Sequence, residues 1–259
     1  VLASGGLTVS WTGPAGEPVV TVSLHRPETR NAQTPATWRA LAAIGGSLPD
    51  GTRVVVLRSE GTVFSSGIDL RAFTPEGVDG DRVLATIAAA DDDQAAELIA
   101  GFQAGFAWLH DVDVPTVAVV QGAAVGAGFQ LALACDLRIC STDARFAMRE
   151  TSLGLVPDLT GTHPLVRAVG YSRAVELCLT GRWVDADEAL RVGIASAVVA
   201  PTDLEVAAED LVSALVAAPA ASATATKRLL RHAIDADAVE QRRAERVAQV
   251  ALIRGLLPG

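Results

Sequence analysis

Two glycine-bearing segments could present backbone N–H groups to a ligand. The first is Phe64-Ser65-Ser66-Gly67-Ile68-Asp69-Leu70, which follows the apolar run Val54 to Leu57 and the turn residues Ser59-Glu60-Gly61. A glycine among small residues lets the main chain approach a ligand with no side chain between them, and at such a bend the N–H groups are free to point outward. In isolation the same pattern fits an ordinary turn. The second segment is Gln121-Gly122-Ala123-Ala124-Val125-Gly126-Ala127-Gly128, which runs into the helix-forming Phe129 to Ala134. A helix start leaves N–H groups without intrahelical partners and puts the positive end of the dipole beside them. A developing oxyanion would be stabilised there. Gly126 and Gly128 also open a dinucleotide-binding spacing, but Leu131 stands where the third glycine is required, so a nicotinamide cofactor is rejected.

Other chemistries find less support. His25, His110, His163 and His232 are scattered without metal-ligand spacing, and Cys135, Cys140 and Cys178 lack the paired spacing of a metal knuckle, so no metal is expected. Ser65 and Ser66 do not sit in a nucleophile elbow.

The elements that must position the two segments read as an α/β chain. Short β-rich runs at Leu7 to Trp11, Val19 to Leu24, Val54 to Arg58, Thr116 to Val120 and Leu137 to Cys140 alternate with helical patterns at Pro35 to Ser47, Asp93 to His110 and Gly126 to Ala134. From Ser172 onward the pattern is almost wholly helical, with one strand signal at Ala195 to Val199. Helices are expected over Leu204 to Val216, Ala221 to Ile234 and Val239 to Leu257. The stretch from Phe73 to Asp93, rich in Gly, Asp and Pro at its start, reads as a mobile loop leading into a capped helix, or as a lid over an acyl chain.

The two segments, in this order and about 60 residues apart, resemble those of the crotonase superfamily, the enoyl-CoA hydratases and isomerases. Leu24-His25-Arg26-Pro27-Glu28-Thr29-Arg30-Asn31-Ala32, Ala134-Cys135-Asp136-Leu137-Arg138, and Leu179-Thr180-Gly181 with Ala186, Glu188, Ala189 and Gly193 add to the likeness, which extends from about Leu7 to about Leu230. The resemblance implies a ClpP-like spiral of ββα units over residues 1–200 and a C-terminal helical region, 201–259, used in trimerisation. It also implies an acyl-CoA thioester as substrate, with coenzyme A belonging to that substrate and no separate cofactor, and a homotrimer or a dimer of trimers.

Carried over by position, the resemblance places the two thioester-oxygen donors at the N–H groups of Ser66 and Ala127, with Gly67, Ile68, Leu70 and Gly126 around them. Asp69 is expected to cap and brace its loop. Hydratases of the family hold water between two glutamates; here the positions are Gln130 and Glu150. An amide can orient water but cannot take or deliver a proton, so ordinary hydratase chemistry is in doubt. One carboxylate suffices for isomerisation, and Glu150 is expected to move the proton. Asp158, eight residues on, resembles part of the dienoyl-CoA isomerase pattern; as a residue just before an expected helix containing Leu165, Val166 and Val169 it could instead be an N-cap. Arg26, Arg30 and Lys227 fall where the family tends to place CoA-proximal cations, with solvated surface charge as the alternative. Double-bond isomerisation of an enoyl-CoA is the first expectation, hydration the second, and a catalytically silent acyl-CoA-binding protein the third.

Composition agrees with this class. Half of the 259 residues are apolar, enough for one sizeable core, and the net charge of -9 favours neither nucleic acid nor anionic lipid as a partner. The most apolar stretch, Ala123 to Cys135, is interrupted by Gln130 and falls short of the ~20 residues a membrane span needs. The start, Val1-Leu2-Ala3-Ser4, has no basic segment ahead of an apolar one, so no signal peptide is expected, and the missing Met suggests residues before Val1. The odd number of cysteines fits a reduced, cytoplasmic protein.

Overall fold

The computed structural model describes residues 5–11 and 19–257. Val1 to Ser4, where the absence of a signal peptide was read, lie outside them.

Strands β1 (Leu7–Trp11), β2 (Val19–Leu24), β3 (Val54–Ser59), β4 (Thr116–Val120), β6 (Leu137–Ser141) and β9 (Ala197–Val199) form one sheet in the order β1-β2-β3-β4-β6-β9. All its pairings are parallel except β1 with β2. Its central strands are apolar on both faces because both are covered. Val55, Leu57, Ala118 and Val120 enter the main core, while Val54, Val56, Val117, Val119 and Ile139 meet a second cluster with Leu204, Ala208 and Val212 of helix α8 (Leu204–Ala217). The C-terminal region is therefore continuous with the sheet at its beginning, where α8 forms an outer layer.

A second sheet joins β5 (Ala123–Val125), β7 (Arg145–Ala147) and β8 (Val184–Asp185). Strands β4 and β6 are parallel neighbours in the large sheet, and their continuations β5 and β7 are parallel neighbours in the small one. One turn earlier, Ser65 after β3 makes a parallel bridge to Ala124 of β5. Each turn of this spiral thus contributes to the large sheet, then to the small one, then to a helix: α3 (Asp92–Asp111), α4 (Ala127–Ala134), or the pair α5 (Thr162–Val169) and α6 (Tyr171–Thr180). The small sheet was missed in the sequence because its strands have two or three residues, too few for alternation to register.

Helix ends follow their caps. Thr34 and Thr37 form a capping box at the start of α1 (Pro35–Gly45), and Asp91 accepts from Gln94 N at 2.8 Å to begin α3. The segment read as a loop or lid carries helix α2 (Val83–Ala89), and Val78 and Val83 are buried in it. After α7 (Ala186–Val192) and α8 come α9 (Ala220–His232) and α10 (Ala238–Leu256), which has no buried residue.

Lys227 ties α9 to the sheet. It is 8% exposed, and its Nζ donates to Asp136 Oδ2 at 2.7 Å and to Val114 O at 2.9 Å. The same Asp136 oxygen accepts from Thr116 N at 2.8 Å. Burial pushes the Lys227 amine below its ordinary value, and the neighbouring Asp136 carboxylate opposes that shift. Removing one partner leaves the other charge partly dehydrated. Lys227→Met is expected to lower stability by about 2 kcal/mol in urea unfolding, with hydrogen exchange rising first in α9.

Candidate active site

The two glycine segments meet. Gly67, at φ 92°, lies so close to the second segment that a Cβ there would stand 2.7 Å from Val125 O and 3.8 Å from Ala127 N. Gly128 packs its bare Cα against Ser65, where a Cβ would come within 2.7 Å. Together with the Ser65–Ala124 bridge, these contacts fix the bend after β3 against the start of α4.

A buried polar lattice holds the first bend from its other side. Ser65 Oγ donates to Asn31 O at 2.8 Å, and Gln33 Nε2 donates to Ser65 Oγ at 3.2 Å. Gln33 Oε1 accepts from Trp38 Nε1 at 2.9 Å, while Gln33 N donates to Gly67 O and Asp69 N donates to Gln33 O. Asn31, itself left-handed at φ 52°, donates to Glu60 O and Val63 O, each at 2.8 Å. Every buried polar group in this lattice has a partner, which makes the bend rigid.

These bonds decide which N–H groups remain free. Ser66 N donates to Arg30 O at 2.9 Å, so the first donor inferred for the site is already committed. The N–H of Ile68, two residues on, donates to no acceptor among the described residues, although the flanking Gly67 carbonyl and Asp69 N–H are both bonded to Gln33. The reading of Ser66 as a free donor is therefore corrected: of the two, Ile68 is the one whose N–H has no acceptor among the described residues. Ala127 is the first residue of α4, and its N–H has no intrahelical acceptor. Gly126 before it adopts φ 50°, ψ -119°, a conformation that only glycine takes without strain. The methyl of Ala127 is accommodated in a helical backbone.

Ser66, Gly67, Ile68, Asp69, Leu70, Gly126, Ala127, Gln130, Glu150 and Asp158 all line one cavity of about 650 Å³. Arg30 lines it as well, joined by Arg71 and Arg149, two cations the sequence reading passed over. Arg26 does not reach it. Its Nη1 donates to Ala32 O at 2.9 Å and its Nη2 lies 3.6 Å from Asp69. Lys227 is likewise outside, engaged with Asp136. Asp69 caps and braces as expected, accepting from Arg71 N at 3.1 Å and from Arg71 Nη2 at 2.7 Å, and the guanidinium lowers its pKa.

At the inner end, Glu150 begins a short 3-10 turn, Glu150–Leu153, and is 9% exposed. Its Oε1 accepts from Gln130 Nε2 at 2.6 Å; its Oε2 is buried with no hydrogen-bond partner among the described residues. Burial raises the Glu150 pKa, against the pull of its own backbone N–H, of the Gln130 hydrogen bond and of the Arg149 backbone, and the nearby Asp158 adds to the rise. Asp158 is raised too, by its own burial. It is not an N-cap: α5 starts at Thr162 behind Gly161, with no side-chain capping bond. Gln103 Nε2 holds the Asp158 carbonyl at 2.7 Å. Among the described residues, the site thus combines two backbone N–H groups without acceptors and a buried carboxyl with one oxygen free of side-chain partners.

Comparison with known proteins agrees with this geometry. The Enoyl-CoA hydratase/isomerase family pattern matches residues 15–254. A candidate enoyl-CoA hydratase from Thermobifida fusca, solved in complex with CoA, is 48% identical with a TM-score of 0.90, the match covering 98% of this chain and 95% of that one. Its complex with acetoacetyl-CoA gives 48% identity and 0.91, covering 98% and 97%. The mouse mitochondrial Delta(3,5)-Delta(2,4)-dienoyl-CoA isomerase is 34% identical over 188 residues, 70% of this chain, and a candidate mitochondrial enoyl-CoA hydratase of Arabidopsis thaliana is 35% identical over 182 residues, 68% of it. The match spans only 55% of the length of each of these two relatives. The chain belongs to the enoyl-CoA hydratase/isomerase, or crotonase, family of acyl-CoA enzymes, and its α/β spiral is the crotonase fold.

The raised Glu150 pKa has a stability consequence. Between the ordinary glutamate value and the raised one, the folded chain keeps a proton that the unfolded chain releases. Stability is therefore lost as pH rises through that window, and the loss is complete above it. Glu150→Gln, which can still accept from Gln130, escapes this loss. Its Tm is expected to exceed that of the wild type at neutral pH, with the difference closing below about pH 4, within the ordinary carboxylate range. Thermal unfolding of both proteins across pH checks this.

Proposed function

We propose that the protein isomerises the double bond of an enoyl-CoA, using Glu150 to move one proton. The observation that carries this reading is the Gln130–Glu150 contact: the position that would hold a second acid is a neutral amide, and it leaves a single oxygen, Glu150 Oε2, unpaired beside the cavity. With the thioester oxygen between Ile68 N–H and Ala127 N–H, Oε2 takes a proton from C2 of a 3-enoyl-CoA. The C–H bond breaks, an O–H bond forms, and the electron pair moves through the carbonyl to an oxygen held by two peptide donors. The dienolate then takes the proton back at C4, giving the 2-enoyl-CoA. No co-reactant is consumed.

Arg30, Arg71 and Arg149 around the cavity suit the phosphates of coenzyme A, and the complexes of the Thermobifida fusca relative support a CoA thioester as ligand. The exposed apolar residues of α10, among them Val247, Val250, Ile253 and Leu256, support self-association into a trimer or a dimer of trimers. Hydration is the second reading, favoured by Asp158, a second carboxyl in the same cavity.

Purified protein is expected to convert 3-enoyl-CoA to 2-enoyl-CoA. The kcat should rise with pH about a midpoint above the usual carboxylate range, as Glu150 loses its proton. Glu150→Gln should lower kcat by about 10²–10⁴-fold while acyl-CoA binding persists. Full activity in that variant would remove Glu150 as the base. Water addition to 2-enoyl-CoA that disappears in Asp158→Asn would favour hydration instead.

A further inference from the structure

Gln130 is 1% exposed and cannot turn. Its Oε1 accepts from Leu159 N at 2.9 Å and from Gly161 N at 3.1 Å, so exchanging its oxygen and nitrogen would set an NH₂ group against two N–H donors. Gly161 also packs closely against its side chain, so that a Cβ there would be 2.5 Å from Gln130 Cγ. The NH₂ is thus obliged to face Glu150 Oε1. Being a donor only, it leaves no acceptor toward which a proton on Oε1 could point. Oε2, buried and unpartnered, is the oxygen left for the proton.

From this we infer that Gln130 is a positioning residue that confines the transferred proton to Glu150 Oε2, so that the proton taken from one substrate carbon is the one delivered to the other. The inference rests on the reading of Glu150 as the base. The carbonyl end of Gln130 grips the Leu159–Gly161 turn, and its amide end presents Glu150 in one orientation. The proton then has a single seat on the carboxyl and no hydrogen-bonded route from Oε1 to solvent.

Two measurements test this separately from the reaction assignment. In the first, 3-enoyl-CoA carrying two deuteriums at C2 is converted in ordinary water and the product is examined for deuterium at C4. The wild type should retain label there. Gln130→Met should lower kcat by about 10²-fold, with KM changed much less, and lose most of the label to solvent. Gln130→Glu keeps the shape and the grip on the turn but offers Oε1 a partner with which a proton can be shared; it should lose label too, and it serves if the Met variant does not fold. Label retention at the wild-type level in either folded variant would overturn the inference.

The second measurement needs no turnover. The infrared carbonyl band of protonated Glu150, identified by its absence in Glu150→Gln, should move to higher frequency in Gln130→Met as Oε1 loses its donor. An unmoved band would overturn the inference whether or not the protein isomerises 3-enoyl-CoA. A moved band in a protein inert toward that substrate would uphold the proton placement and reject the proposed reaction.

Discussion

The site depends on the close approach of two pieces of backbone. Gly67 lies against Val125 and Ala127 with no room for a side chain, and Gly128 lies against Ser65 in the same way. This contact brings a non-helical bend and a helix start together at the wall of one cavity. Peptide donors fixed in this way need little reorganisation when charge develops on the ligand, which is why such an arrangement favours an enolate. The buried lattice of Asn31, Gln33, Trp38 and Ser65 leaves only certain donors unspent.

Much of this was legible in the sequence, and the parts that were not have a common cause. Glycines at 67, 126 and 128 announce close approach, and Asp69 announces a cap, because each acts within a few residues of itself. The choice between Ser66 and Ile68 as donor depends on Arg30 O, more than thirty residues away, and no local pattern encodes that bond. Lys227 was read as a ligand-facing cation because its partner, Asp136, is 91 positions distant. The three-stranded sheet escaped notice for a different reason: its strands gain their order from the turns of the spiral stacked beside them.

The polar residues of the site divide along the same line. Gln130 and Glu150 could each be placed by position, yet their relation came from geometry: one amide, with its oxygen occupied by Leu159 N and Gly161 N, turns its NH₂ onto one oxygen of the carboxyl. Asp158 shares the cavity and is raised in pKa by burial, so the inner end of the site holds two carboxyls that both resist ionisation.

Gly161 shows how far such control can extend. Its backbone, at φ -72° and ψ -22°, is one that any residue adopts, so glycine is not required there for conformation. It is required for space, because a methyl group would collide with Gln130. A position with no polar side chain, outside the cavity wall, therefore acts as a steric set-screw on the carboxyl. The range of residues that the turn before α5 can accept is limited by the placement of a buried amide and, through it, of a carboxyl two contacts away, and not by the backbone of the turn itself.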